Sequence, residues 1–319
     1  MKVRRTLPQR ARTQVIIRPN PPFRLDLTVW ALRRRERNAI DRWDGTTYRR
    51  IVVVDRRVTE LAIRQSGPSS APRVIITATP SLRTAMDRRQ VRSLVDRLLG
   101  LHIDLSEWYR VSRRDGQLAE LADRFRGLKP PRFPTIFEAI VNAFACQQLS
   151  LEVGLELLNR LAVVCNVRFG TGASAHYAFP GPRDVAGRPP AGFRAIGFSQ
   201  QKVRALLALA RGMAGDALDL DALALDSDPD LQAKLLQLRG VGRWTAEYVS
   251  LRGFGRLNVF PGDDVGAQKS LARWLGRPAP LDYRGVTTAV QRWQPYAGML
   301  YFHLLLDGLS RSGAMDSAA

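Results

Sequence analysis

Residues 238–246, Leu238-Arg239-Gly240-Val241-Gly242-Arg243-Trp244-Thr245-Ala246, join two helical patterns through a hairpin that holds two glycines. Glycine permits φ > 0 and close backbone approach to a partner, and the second helix begins just beyond with its free N–H groups directed outward. Such a terminus suits a phosphate. A two-glycine turn between helices is also ordinary structure, so its meaning depends on the residues beyond it. Eighteen positions after Arg243 the chain reads Pro261-Gly262-Asp263-Asp264 and leads into an amphipathic pattern with Val265, Gln268, Leu271 and Leu275. Either aspartate can simply cap that helix. The helix dipole favours a charged carboxylate there, and such a group can stabilise a developing cation.

Other chemistry is thinly represented. Two cysteines, Cys146 and Cys165, are too few for a disulfide framework, a four-thiolate zinc site or an iron–sulfur cluster, and both read as core thiols. His102, His176 and His303 lack metal-ligand spacing and read as structural.

The elements that must position the hairpin and the aspartates fall into two parts. Residues ~13–80 read as a meandering antiparallel sheet, with β-rich runs at 14–18, 23–32, 48–55, 58–64 and 73–79 separated by turn signals. From Ser81 the period becomes helical. Residues 129–134, Lys-Pro-Pro-Arg-Phe-Pro, interrupt it as a rigid connector. Beyond them Thr135 and Glu138 form a capping-box pattern, Ser150 and Ser199 stand as caps, and Asp228-Pro229 supply an N-cap and an N1 proline. The expected division is a flexible basic tail (1–12), a β-rich α+β domain (13–100), an all-helical core (101–310) and a flexible tail (311–319).

At 319 residues, with 45% hydrophobic residues, the chain is long enough for about two domains and apolar enough to fold. Lys+Arg 49 against Asp+Glu 29 leaves +20, which points to a polyanionic partner, nucleic acid before anionic membrane. No apolar run is long enough for a transmembrane span, the best being 297–306, and the basic start has no signal-like apolar stretch, so a cytoplasmic protein is expected. The first 50 residues hold 14 Lys/Arg against four acids. Within them Arg33, Arg34, Arg35 and Arg37 read equally as a phosphate grip or as a solvated loop.

Taken together, LRGVGRWTAEYVSLRGFGRLNVFPGDD (238–264), FEAIVNAFACQQLS (137–150), YAFPGP (177–182), IGFSQQKVRALLALA (196–210) and WQPYAGMLYFHLL (293–305) resemble the helix-hairpin-helix, Gly/Pro-Asp superfamily of base-excision DNA glycosylases. The DNA-3-methyladenine glycosylase II branch is the most similar. The resemblance covers about 130–310, and more weakly the N-terminal α+β domain. It implies an α+β N-terminal domain, an antiparallel sheet with helices, followed by a mostly α-helical two-lobed core. That core would hold the helix-hairpin-helix at 230–252 and the catalytic segment at 259–275.

Carried over by position, the resemblance makes Asp264 the catalytic carboxylate and Asp263 the neighbouring cap. Gly240, Val241, Gly242, Arg243 and Thr245 become the DNA anchor. Gln147, Gln148 and Leu149 become the element that fills the gap left by an extruded nucleotide, with Gln148 foremost. Trp244, Tyr248, Trp293 and Tyr296 become base-pocket positions, each of which reads equally well as core. A monovalent cation, Na⁺ or K⁺, would rest on the carbonyls of Leu236, Leu238 and Val241. No cofactor is required.

The implied reaction is monofunctional hydrolysis of the N-glycosidic bond of alkylated bases, of the 3-methyladenine and 7-methylguanine type, flipped from duplex DNA by a monomer. A purine alkylated at N3 or N7 leaves without a general acid, and aromatic faces favour its charge by about 0.5–2 kcal/mol. Bifunctional relatives carry a lysine where this chain has Trp244, and a Schiff base needs an amine. Two rivals remain on sequence alone. One is a glycosylase/lyase using Lys269, and the other is a non-catalytic protein that binds damaged DNA.

Overall fold

The structure is a computed structural model that describes residues 12–315; of the tails expected over 1–12 and 311–319, residues 1–11 and 316–319 lie outside the described residues. Five strands, β1 (Thr13–Ile17), β2 (Arg42–Trp43), β3 (Thr47–Val54), β4 (Arg57–Ser66) and β5 (Arg73–Thr79), form one antiparallel sheet in the order β1-β5-β4-β3-β2. The β3–β4 register closes Val54 on Arg57, leaving Asp55 and Arg56 as a two-residue turn with φ of 45° and 58°. Both central residues are left-handed, as the right-handed twist of a tight hairpin demands.

Residues 23–32, expected as a strand, are instead helix α1 (Leu25–Arg33). Leu25, Val29 and Leu32 face the sheet core, while Leu27, Trp30 and Ala31 face the helical core. A helix buried on both sides has no polar stripe. Its apolar residues therefore satisfy a period of two by accident, and burial on both sides, not alternation, fixes the element.

Helix α2 (Ala85–Leu99) lies on the sheet through Val91, Val95, Leu98 and Leu99. Then come α3 (Ser106–Ser112), α4 (Gly116–Arg124), α5 (Ile136–Cys146), α6 (Leu151–Cys165), α7 (Pro182–Ala186), α8 (Pro190–Ala195) and α9 (Gln200–Ala214). The chain ends with α10 (Asp228–Leu236), α11 (Arg243–Val249), α12 (Val265–Trp274), α13 (Tyr283–Val290) and α14 (Ala297–Arg311). The core is not wholly helical: Arg168–Phe169 and His176–Tyr177 pair as a small hairpin, β6 and β7. Arg311 belongs to α14, and Ala314 and Met315 pack against the apolar core that α14 helps to build, so residues 311–315 of the expected C-terminal tail are part of the fold.

Two apolar cores divide the helices. Helices α5, α6, α9, α10 and α11 surround one; α3, α4, α12, α13 and α14 surround the other together with α1. The connector 129–134 runs through the interior, with Lys129 and Phe133 buried and Lys129 Nζ donating to the Ile103 carbonyl at 2.6 Å. Caps differ in detail from expectation. Ser227, not Asp228, caps α10, moving Pro229 to the second helical position. Thr135 caps α5, but the Glu138 carboxylate turns away from the box to meet Arg50.

His303 is buried in the second core beside Trp108, at 5.0 Å between ring centroids, and burial pushes its pKa down to about 4. The unfolded chain takes up the proton near its ordinary 6.5, so the folded state is favoured above that pH and loses the advantage as pH falls from about 6.5 to 4. The expected loss is about 3 kcal/mol. Urea midpoints across that range check it, and His303→Phe should flatten this part of the profile.

Candidate functional site

Helices α10 and α11 meet at the expected hairpin. Gly240 has φ +82°, and a Cβ there would lie 2.7 Å from the Ala205 Cβ of α9. Gly240 is thus fixed by packing as well as by conformation. Gly242 differs: it caps α11 in extended conformation, and nothing lies within 4 Å of where its Cβ would be. Gly242→Val is therefore expected to keep parental stability and to weaken binding to all duplexes alike, because phosphate contacts position without reading sequence. Gly240→Val should lose stability as well. Thermal melts paired with duplex titrations separate the two, and tight binding by folded Gly242→Val would remove the hairpin from the interface.

The segment expected to fill the vacated duplex gap sits beside that hairpin. Gln147 Nε2 donates to the Gly240 carbonyl and to Thr245 Oγ1, both at 2.8 Å, so Thr245, buried, is tied to Gln147 and does not face outward. Val241 is buried too. Lys202 Nζ donates to the carbonyls of Ala145 and Gln147, clamping the end of α5. Beyond the clamp Gln148 is exposed at φ +56°, and Leu149 is exposed. The loop thus presents an amide and an apolar side chain together.

Asp264 is the N-cap of α12. Its Oδ1 accepts the Ala267 N–H at 2.9 Å, and its Oδ2 accepts the Tyr301 hydroxyl at 3.1 Å. Asp263, expected as a cap, is not one. It pairs with Arg243 through Nε–Oδ2 at 2.7 Å and Nη2–Oδ1 at 3.1 Å. Arg243 in turn lies over the Tyr283 ring, 3.7 Å from its centroid. The hairpin helix and the aspartate segment are thereby tied directly. A second tie is Glu247 of α11, which accepts the Gly262 N–H at 2.9 Å and the Tyr283 hydroxyl at 2.8 Å. Burial pushes the Glu247 carboxyl up, and those two donors pull it back.

Trp244 and Tyr248 stand one turn apart on α11, with ring centroids 5.3 Å apart. Tyr248 and Tyr301 are buried, which raises both phenol pKa values, and the Asp264 charge raises them further. These three aromatics and Asp264 make one cluster. Trp293 does not join it. It packs on Trp274, the last residue of α12, at 5.3 Å, and donates to Asp115 at 3.2 Å. Asp264 caps the other end of that ten-residue helix, about 15 Å away along its axis. Tyr296 packs on Trp108 of α3, at 6.1 Å, where burial and then Glu107 and Asp104 raise its pKa. Lys269 is exposed on α12.

Residues without a role in the sequence pattern complete the cluster. Arg34 is the C-cap of α1 at φ +62° and is buried; its Nη1 donates to the Tyr248 hydroxyl at 2.9 Å and its Nη2 to Asn142 Oδ1 at 2.7 Å. Arg33 is also buried, bonded to the carbonyls of Trp43 and Glu36. Neither the phosphate-grip nor the solvated-loop reading holds for these two. Arg252, fully buried, donates to the Ala31 and Leu32 carbonyls and lies over Phe133, Tyr248 and Phe302; burial lowers its pKa. A run of arginines carries no sign in sequence of which members turn inward. Glu247 and Tyr301 lie inside the strings 238–264 and 293–305, where no local spacing marks their partners.

The arrangement offers a carboxylate at a helix N-terminus, backed by aromatic rings and set beside an open glycine hairpin. Residues 141–295, which include the Gln147–Leu149 loop, the hairpin and Asp264, match the family described as HhH-GPD superfamily base excision DNA repair protein. The chain is 25% identical over 221 residues to the DNA-3-methyladenine glycosylase of Bacillus subtilis, covering 68% of this chain and 73% of that one. In fold it matches the 3-methyladenine DNA-glycosylase from Archaeoglobus fulgidus, with a TM-score of 0.80 at 23% identity over 93% of this chain and 98% of the other. It also matches the Clostridium acetobutylicum 8-oxoguanine glycosylase/lyase in complex with double-stranded DNA, with a TM-score of 0.72 at 16% identity over 94% and 96%. The site and the match agree: residues 141–295 form a domain of the HhH-GPD superfamily of base excision DNA repair proteins, and the enzyme is a DNA glycosylase.

Proposed function

We propose that this glycosylase is monofunctional and removes alkylated bases, of the 3-methyladenine and 7-methylguanine type, from duplex DNA. The observation that carries the reading is Asp264, a carboxylate held by the α12 N-terminus and Tyr301, with Trp244 and no lysine at the hairpin helix. As the bond to an alkylated purine breaks, positive charge moves onto the sugar. The Asp264 carboxylate offsets that charge and orients or deprotonates the attacking water. Trp244, half-buried and backed by Tyr248, supplies the π face against which an electron-poor base rests. Gln148 and Leu149 hold the duplex open once the nucleotide has left the stack.

The names of the Bacillus subtilis and Archaeoglobus fulgidus proteins support the base class. The chain works as a monomer in the cytoplasm, bound to DNA. Among the described residues no helix is long and apolar enough to cross a membrane. A monovalent cation fits the hairpin: among the described residues no donor reaches the Leu236 and Val241 carbonyls, while Leu238 accepts only the Val241 N–H. Those three oxygens would hold it, and its charge would draw a phosphate.

The test is chromatography of bases released from methylated duplex, with borohydride added in parallel. Release of methylated purines without a trapped protein–DNA adduct is the expected result. A trapped adduct would instead make the enzyme a lyase, and binding without release would leave only damage recognition.

A further inference from the structure

A groove of about 850 Å³ runs along the exposed face of α9 and is lined by Arg194, Arg204, Arg211 and Arg239, with neither Asp264 nor any other carboxylate among its lining residues. Gln200, Arg204, Ala208 and Arg211 follow one another on α9 at intervals of four, four and three, so they share one face, and all four are exposed. Ala208, between the two arginines, leaves that face low enough for another backbone to approach. Arg204 and Arg211 stand about 10 Å apart along the helix axis.

Some exposed arginines elsewhere on the molecule have acids beside them. Arg110 pairs with Glu107, Arg126 with Asp123, Arg160 with Glu156 and Arg292 with Asp115. In the groove Arg194 donates to the Phe198 carbonyl at 3.0 Å, while the side chains of Arg204, Arg211 and Arg239 make no ion pair or hydrogen bond with the described residues. Four guanidiniums gathered without counter-charge repel one another, and an external polyanion relieves that repulsion. The groove is continuous with the hairpin. Arg239 belongs to both, and Gly240 rests against Ala205, the neighbour of Arg204.

We infer that this groove is a second phosphate-binding track, which receives the backbone of the same duplex on the flank beyond the segment held at the hairpin. The inference rests on duplex DNA being gripped by the hairpin. Guanidiniums suit phosphate oxygens through paired N–H groups, and contacts of this kind fix the register of the duplex without reading its sequence.

Arg204→Gln combined with Arg211→Gln tests it, since glutamine keeps helix propensity and both side chains are exposed. Binding to duplexes carrying an abasic site would be measured against salt, using one duplex of about a single helical turn, ~34 Å, and one of about two turns. On the long duplex the slope of log Kobs against log[salt] should become shallower by about 0.9 for each lost phosphate contact, ~1.8 for the pair. On the short duplex the variant should match the parent. A parental slope on the long duplex would overturn the inference. So would an equal loss on both lengths, which would place these arginines beside the lesion and not on the flank. Stabilisation of the parent alone by inorganic tripolyphosphate, with duplex binding unchanged, would make the groove a small-anion site. Gly242→Val serves as the separate arm: it should weaken both lengths, and if it does not, the hairpin grip itself fails whatever the groove shows.

Discussion

A chain carrying Asp264→Asn is expected to fold as the parent does, to bind abasic duplex equally well, and to release methylated purines ~10²–10³-fold more slowly or worse. Asparagine is as good an N-cap as aspartate, so the bond from Ala267 N–H is retained and stability should change little. Tyr301 can keep a hydrogen bond to the amide. What disappears is the negative charge that the forming oxocarbenium needs, and with it the base that handles the water. Single-turnover release, compared with binding on the same duplex, checks this. Asp263→Asn is the control. Its pair with Arg243 is largely exposed, at 54% and 32%, so losing it should cost at most about 1 kcal/mol and leave release nearly intact. Wild-type release by Asp264→Asn with an inactive Asp263→Asn would move the chemistry one residue upstream; activity in both would remove it from this segment.

The largest expected effect on stability lies away from the chemistry. Arg50 of β3 is buried, with Nη1 2.5 Å from Asp41 and Nη2 2.5 and 2.6 Å from the two oxygens of Glu138 on α5. Tyr48 adds a hydroxyl to Asp41 at 2.6 Å. This cluster fastens the sheet to the helical core. Arg50→Leu would leave two buried carboxylates without a counter-charge, and the expected cost is about 3–5 kcal/mol. Burial already pushes the Glu138 carboxyl up against the pull of Arg50, so the variant should take up a proton there. Denaturant midpoints at neutral and mildly acidic pH check both parts: the variant should be far weaker at neutral pH and recover some stability as Glu138 is neutralised. A midpoint like the parent's at neutral pH would show that the cluster does not hold the two parts together.

That fastening explains why the N-terminal part matters to the site at all. Helix α1 is shared by two cores and delivers Arg34 to Tyr248, while the backbone of α1 receives Arg252 from behind α11. The sheet therefore supports the Tyr248 side of the cluster, although among the described residues no strand residue hydrogen-bonds to Asp264.

By itself the sequence determined the elements whose signals are local. The glycines of the hairpin and the caps Thr135, Ser150 and Ser199 all act within one helical turn, so spacing along the chain is enough to find them. The order of motifs likewise carried the family. Tertiary structure alone decided what depends on the far side of each residue. Helix α1 read as a strand because burial on both faces erased its polar stripe. Asp263 and Asp264 are neighbours of one type, and only the position of Arg243 on α11 makes one an ion-pair partner and leaves the other as cap and candidate base. Trp293 and Trp244 are equally aromatic, yet α12 puts the first about 15 Å along its axis from the site. Of the arginines at 33–37, the two that turn inward are chosen by acceptors more than a hundred residues away or across a turn, at Asn142, Tyr248, Trp43 and Glu36. A side chain's chemistry is written in its type, but its partner is written in the packing of elements that local spacing does not encode.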